Sequence, residues 1–183
     1  MGFWIFIGIV VLIALWLIAT YNGLVSGRNQ AQTAWSQIDV QLKRRHDLIP
    51  NLVQVVKDAM GYEQETLTRV VQARNAAAAA TSPAQSGPAE AALSAATRGL
   101  FALVESYPQL KANDNIKQLQ EELTTTENKI AFARQFYNDS VNGYNTRIQS
   151  FPAVVAAASL GFHAMELFNM PEAEREVPKV ALR

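Results

Sequence analysis

Residues Phe3–Tyr21 read FWIFIGIVVLIALWLIATY, nineteen positions with no charge and no proline. At about 1.5 Å per residue a helix of this length covers roughly 29 Å, the hydrocarbon thickness of a bilayer. Phe3, Trp4, Ile5, Ile9, Leu12, Trp16, Ile18 and Tyr21 are its candidate lipid-facing residues, with the rings of Trp4, Trp16 and Tyr21 suited to the membrane–water interfaces. A cleaved secretory signal and a buried soluble helix are the competing readings. A cleaved signal needs a positive n-region and an A-x-A-like site, whereas only Met1 and Gly2 precede the run and it ends Leu17-Ile18-Ala19-Thr20. A retained transmembrane signal anchor over residues 1–21 is the favoured reading.

All 16 acidic and all 16 basic residues follow the anchor, so the remaining 162 residues are neutral overall. That balance argues against a nucleic-acid binder, which needs a dominant basic surface. Arg28, then Lys43, Arg44 and Arg45, lie on the C-terminal side of the span, and the positive-inside rule places the large domain in the cytoplasm. Only Arg28 lies well inside the counting window, so a periplasmic body stays open. With no cysteine the redox compartment is not specified.

Sparse glycine and proline, short β-branched runs and abundant alanine, glutamine and leucine mark an all-α chain. The expected architecture is the transmembrane helix continuing into an antiparallel up-and-down bundle of four helices, or three with a kink at Pro50. In the first helix Ala31, Trp35, Ile38 and Leu42 recur at helical spacing. Pro50 cannot donate to the His46 carbonyl and reads as the first turn of a second helix, which runs to about Ala80 and buries Leu52, Val56, Met60, Leu67, Val70 and Val71. Thr81–Pro88 reads as a loop. A third helix spans about Ala89–Ser106, with Ala92, Ala96, Leu100, Leu103 and Val104 inward, and Tyr107-Pro108 ends it. Asn113 or Asp114 caps a long fourth helix whose stripe is Ile116, Leu119, Leu123, Ile130, Ala133, Tyr137, Val141, Tyr144 and Ile148, as far as Phe151-Pro152. The bundle domain is thus 22–152. Ala153–Phe168 suits an amphipathic segment on the bundle, a neighbour or the bilayer, and the rest of 153–183 reads as an extended tail.

Catalytic, metal and cofactor sites find no support. The two histidines, His46 and His163, are far apart, no Glu-x-x-His motif occurs, and no glycine-rich loop of a phosphate-cradling type is present. His46 reads as a solvated residue. Lys43-Arg44-Arg45 reads first as a solvated face near Asp39 and Asp47. Its functional alternative is an acidic partner rather than lipid, because residue 44 stands about 35 Å from Tyr21 along a straight helix. Phe132 and Phe136 lie four apart on the fourth helix, off the Ile130-Ala133-Tyr137 stripe, which points to self-association.

Tyr21-Asn22-x-Leu24-Val25 with Arg28-Asn29, the run Ala34-Trp35-Ser36-Gln37-Ile38-Asp39-Val40-Gln41-Leu42-Lys43-Arg44-Arg45, then Asp47-Leu48-Ile49-Pro50-Asn51-Leu52-Val53, and the ending Glu174-Arg175-Glu176-Val177-Pro178-Lys179-Val180 closely resemble the bacterial LemA family. The resemblance covers practically the whole chain. It implies an N-terminal anchor, a helical bundle and a membrane location, with no established enzymatic activity and no cofactor. Two functions are expected. The first is a non-enzymatic scaffold of the inner (cytoplasmic) membrane, single-pass, whose coiled-coil-like bundles self-associate as a homo-oligomer, with the lipid bilayer as partner. The alternative is an accessory subunit for a membrane protease or envelope-stress system, docked through the tail at Arg175, Val177 and Pro178.

Overall fold

A computed structural model describes residues 1–59 and 64–169. Among them are six helices: α1 Gly2–Ala59, α2 Gln64–Ala78, α3 Pro83–Ser106, α4 Pro108–Lys111, α5 Asp114–Gln149 and α6 Val154–Ala157. The all-α expectation holds. The chain groups into two compact units. Unit 1 comprises Met1–Gln37 and Ala133–Leu167; unit 2 takes Ile38–Phe132 and, of the described residues beyond it, Phe168 and Asn169.

The new helix expected at Pro50 does not exist: α1 passes through the proline without a break. An interior proline costs a helix about 3 kcal/mol, partly because the carbonyl four residues back loses its donor. Here that carbonyl belongs to His46, and Arg74 of α2 donates to it from Nε at 3.1 Å. Ile49, Leu52 and Val56 are buried around the proline, each worth about 1.5–3 kcal/mol, so burial outweighs the penalty. Arg74→Met is expected to destabilise the protein by about 1–3 kcal/mol, the cost of an unmet buried acceptor, as measured by urea unfolding followed by helical circular dichroism.

The expected loop Thr81–Pro88 is also shorter than its composition implies. Ser82 caps α3 by accepting from the Gln85 amide at 3.3 Å, and the Gln85 side-chain oxygen accepts from the Thr81 amide and hydroxyl at 3.2 and 3.1 Å. Pro83 sits in the first turn, where its missing N–H costs nothing, and Pro88 falls inside the helix. Tyr107-Pro108 does end α3, with the single turn α4 following. Asn113 caps α5, its side-chain oxygen accepting from the amides of Asn115 and Ile116 at 3.0 and 3.3 Å.

Unit 2 is built on Ile49, Leu52, Val56, Leu67, Val70, Leu93, Leu100, Val104, Leu110, Ile116 and Leu123. Of the expected core, Ile38, Leu42, Ile130, Tyr137 and Tyr144 are also buried. Trp35 and Leu119 are half-buried instead, and Val71 and Ala92 are exposed. The α1 stripe runs through Ala31, Ala34 and Ile38, one position off Trp35, so the indole stands at the edge of the contact rather than in it. Met60 lies outside the described residues. In the span Phe3, Trp4, Ile5, Ile9, Leu12, Ile18 and Tyr21 are exposed, and Trp16 is half-buried.

In unit 1, α1 and α5 run antiparallel, since Gly23 meets Arg147, Gly27 meets Tyr144, and Trp35 meets Tyr137. The amphipathic segment expected after α5 is mostly irregular. Only Val154–Ala157 is helical; Gly161 adopts φ 76, open to glycine at little cost, and residues 162–169 carry no regular structure.

Candidate functional site

The chain's most concentrated chemistry is buried in unit 2. Continuing the α1 stripe from Ile38 and Leu42 in steps of three and four brings it to Arg45, then Ile49, Leu52 and Val56. On α3 the stripe Ser86, Glu90, Leu93, Thr97, Leu100 and Val104 carries a carboxylate in the same way. Arg45 and Glu90 are 2% and 1% exposed, and His46 is 9% exposed. The Glu90 carboxylate accepts from Arg45 Nη1 at 3.3 Å through one oxygen and from His46 Nε2 at 2.6 Å through the other. Arg45 Nη2 donates to the Ser94 hydroxyl at 2.8 Å. Arg74 closes the group from α2 through the His46 carbonyl, so two helices, α2 and α3, converge on two adjacent residues of α1.

An arginine fork with a partner for each face is the arrangement that makes burial of charge tolerable. The His46–Glu90 pair has the geometry of a base and its orienting carboxylate. Enclosed among helices, it ties α1 to α3. Its reward is register: sliding α1 by one residue against α3 would part both charges from their partners. His46 is therefore not the solvated residue expected, and Lys43-Arg44-Arg45 is not one surface. Lys43 is exposed, Arg44 pairs with Glu122 of α5 at 3.6 Å, and Arg45 is internal. The Arg44 pair is half in solvent and contributes under about 1 kcal/mol. The missed signal was available, namely opposite charges standing on two stripes that carry no other charge.

The aromatic candidates divide. Phe132 and Phe136 are both exposed, at 76% and 47%, one helical turn apart on α5. Tyr137 is buried in unit 1 with its ring centroid 5.3 Å from that of Trp35. Its hydroxyl donates to the Glu166 carbonyl at 2.7 Å. Asn145 holds the neighbouring main chain from both sides, accepting from the Met165 amide and donating to the Met165 carbonyl, each at 2.9 Å. Phe162 packs edge-on to Tyr21 and lies beneath the Arg28 guanidinium, 5.2 Å from the ring centre. Side chains of α5 thus supply the main-chain partners that an irregular segment cannot find in itself.

Burial, and after it the Glu166 carboxylate, pushes the Tyr137 phenol above its ordinary value; burial also raises Tyr144, with Arg28 pulling it partly back. A phenol whose folded value is raised stabilises fully below its unfolded value of about 10 and loses that contribution only as the pH climbs through the folded one. Among the described residues no group of three or more His, Asp or Glu side chains could hold a metal ion. Arg175, Val177 and Pro178 lie outside the described residues.

Among the described residues one helix, at the N-terminus, is long and apolar enough to cross a bilayer, and it runs into an all-α body, an arrangement consistent with a membrane anchor. Its closed charge cluster is the internal tie of that body. The chain belongs to the LemA family, whose family model matches residues 34–182. It is similar to protein LemA of Metamycoplasma hominis, 27% identical over 158 residues, with 84% of this chain and 71% of that protein aligned. It is also similar to magnetosome protein MamQ of Magnetospirillum gryphiswaldense, 27% identical over 179 residues, and to MamQ 2 of Paramagnetospirillum magneticum, 26% identical over 179 residues. For both of these, 84% of this chain and 66% of the relative are aligned, so the chain spans about two thirds of their length.

Proposed function

We propose that this LemA-family protein is a non-enzymatic scaffold of the inner (cytoplasmic) membrane, anchored by one span with its body on the cytoplasmic side, whose bundles self-associate side by side. The observation that carries the reading is the exposed ring of Phe132, with Phe136 one turn further along α5. Single exposed apolar residues are ordinary, but two large rings on one helix face, off its buried stripe, are costly to leave in water. Parallel anchors in one membrane hold copies at high local concentration, which lets modest faces suffice. The non-enzymatic part rests on His46 and Glu90, the pair best suited to proton transfer, being occupied with Arg45 inside the packed body. The Arg28 flank supports the orientation. Relatives named as magnetosome proteins and one named LemA each align over 84% of this chain, which favours a shared structural task over a dedicated chemistry.

The test is the mass of the intact protein extracted in mild detergent, by size exclusion with light scattering. Assemblies larger than a monomer are expected, and the double substitution Phe132→Ser/Phe136→Ser should reduce them to monomer while leaving helical circular dichroism unchanged. Truncation after Met170 should leave assembly size as it was. A monomeric wild type, or assemblies indifferent to the double substitution, would remove the self-association reading.

A further inference from the structure

We propose that the turn after α5 in unit 1, Phe151–Leu160, enters the membrane interface beside the span, and that Arg147 there binds the phosphate of an anionic phospholipid. The inference rests on Phe3–Tyr21 crossing the bilayer. Within unit 1 a cleft of about 380 Å³ is lined by Thr20, Gly23 and Leu24 of α1 and by Arg147, Ser150 and Phe151. On α1 the lining runs from Ala19 to Leu24, about 7.5 Å of helix, which is close to the thickness of one headgroup layer. The cleft therefore stands where the chain leaves hydrocarbon.

The side chains around it suit that level. Phe151 and Val155 are 82% and 71% exposed, and Val154 and Leu160 are exposed as well. Four large apolar residues within ten positions form a patch, not scattered exposure, and they lie next to the one stretch of chain that is already in lipid. The span's own exposed surface continues onto them.

Charge sorts the cations between two duties. The Arg28 guanidinium covers the Phe162 ring, which also takes Tyr21 edge-on. Arg147 is exposed, lies beside Gly27, hydrogen-bonds the Gly23 carbonyl at 3.5 Å, and pairs with no carboxylate among the described residues. A planar guanidinium with free donors at headgroup depth, above an apolar cleft wide enough for acyl carbons, matches a phosphodiester with its chain below. A neutral zwitterionic lipid offers the same phosphate but returns its charge through the choline. The preference is thus for phosphatidylglycerol.

Because the chain has no cysteine, a nitroxide label can be placed at one chosen position. Full-length Leu12→Cys, Val155→Cys and Ser106→Cys proteins, labelled and reconstituted in phosphatidylcholine vesicles with or without phosphatidylglycerol, are compared by collision with oxygen and with a water-soluble nickel chelate. Position 12 should report lipid and position 106 water. Position 155 should report the interface, with chelate access falling about fivefold further in phosphatidylglycerol, the factor one arginine supplies near an anionic surface. Arg147→Gln in the Val155→Cys background should abolish that extra fall, and Arg147→Lys should keep it. A label at 155 as wet as that at 106, with position 12 still in lipid, would overturn the insertion while leaving the span intact. A wet position 12 would overturn the span itself. A lipid-like 155 with no dependence on phosphatidylglycerol or on Arg147 would overturn the phosphate contact.

Discussion

Glu90→Gln is expected to destabilise unit 2 by about 3–5 kcal/mol, the usual loss when one member of a buried ion pair is neutralised. The amide keeps the shape of the carboxylate and can still accept one hydrogen bond, so the loss isolates charge from packing. Arg45 would be left with a full positive charge, its side chain 3% exposed, and only neutral acceptors, the Ser94 hydroxyl and the new amide oxygen. Water cannot reach it without opening the contact between α1 and α3. Urea unfolding of the full chain in detergent should show the shift in midpoint. Hydrogen exchange should localise it, with amides of α1 near Arg45 and of α3 near Glu90 losing protection before those of α5 near Tyr144. A loss under about 1 kcal/mol would mean that the pair behaves as an exposed one.

The same cluster predicts an inversion. Replacing Arg45, His46 and Glu90 together with Met, Leu and Leu removes every charge and leaves none unpaired. Such exchanges in other buried clusters run from neutral to stabilising by about 1–4 kcal/mol. A stable triple variant with a weak single variant would therefore identify the cluster as a device for register rather than for strength, because an apolar stripe alone permits neighbouring alignments of α1 on α3.

The helices were legible because apolar spacing and capping residues act locally. Asn113 is the clear case: its oxygen is two and three residues from the amides it satisfies, and the cap follows from the amino-acid order. Pro50 is the opposite case. Its effect depends on whether a distant donor reaches the His46 carbonyl, and Arg74, 28 residues away, is invisible to any local rule. Arg45 and His46 read as solvated, and Glu90 did not stand out, since a charge on a stripe reads as an interruption unless its opposite is sought on another helix at the matching depth. The main-chain path of 153–168 was not legible for a related reason. Its apolar residues do pack, with Phe162 and Phe168 both buried, but the main chain is satisfied by Tyr137 and Asn145 instead of by its own helix.

Gly87→Ala sets two effects of known size against each other, and the structure decides which wins. In a helix interior alanine is better than glycine by about 1 kcal/mol, so an isolated α3 would gain from the change. Within unit 2, however, a Cβ at position 87 would stand 1.9 Å from the Asn169 carbonyl oxygen and 2.7 Å from its carbon. Both are main-chain atoms and cannot turn aside as a side chain would. Asn169 must leave, and Phe168, 1% exposed, is the residue attached to it. Losing a buried phenylalanine from its site costs about 3–5 kcal/mol, so the net expectation is a loss of about 2–4 kcal/mol despite the better helix former. Thermal unfolding measures the sum, and a nitroxide or fluorophore at Asn169→Cys reports whether the chain has lifted from α3. Gly87→Ser should behave alike, since the clash begins at Cβ. Stabilisation of about 1 kcal/mol by Gly87→Ala would show that helix propensity acts unopposed and that the chain after Phe168 does not rest on Gly87.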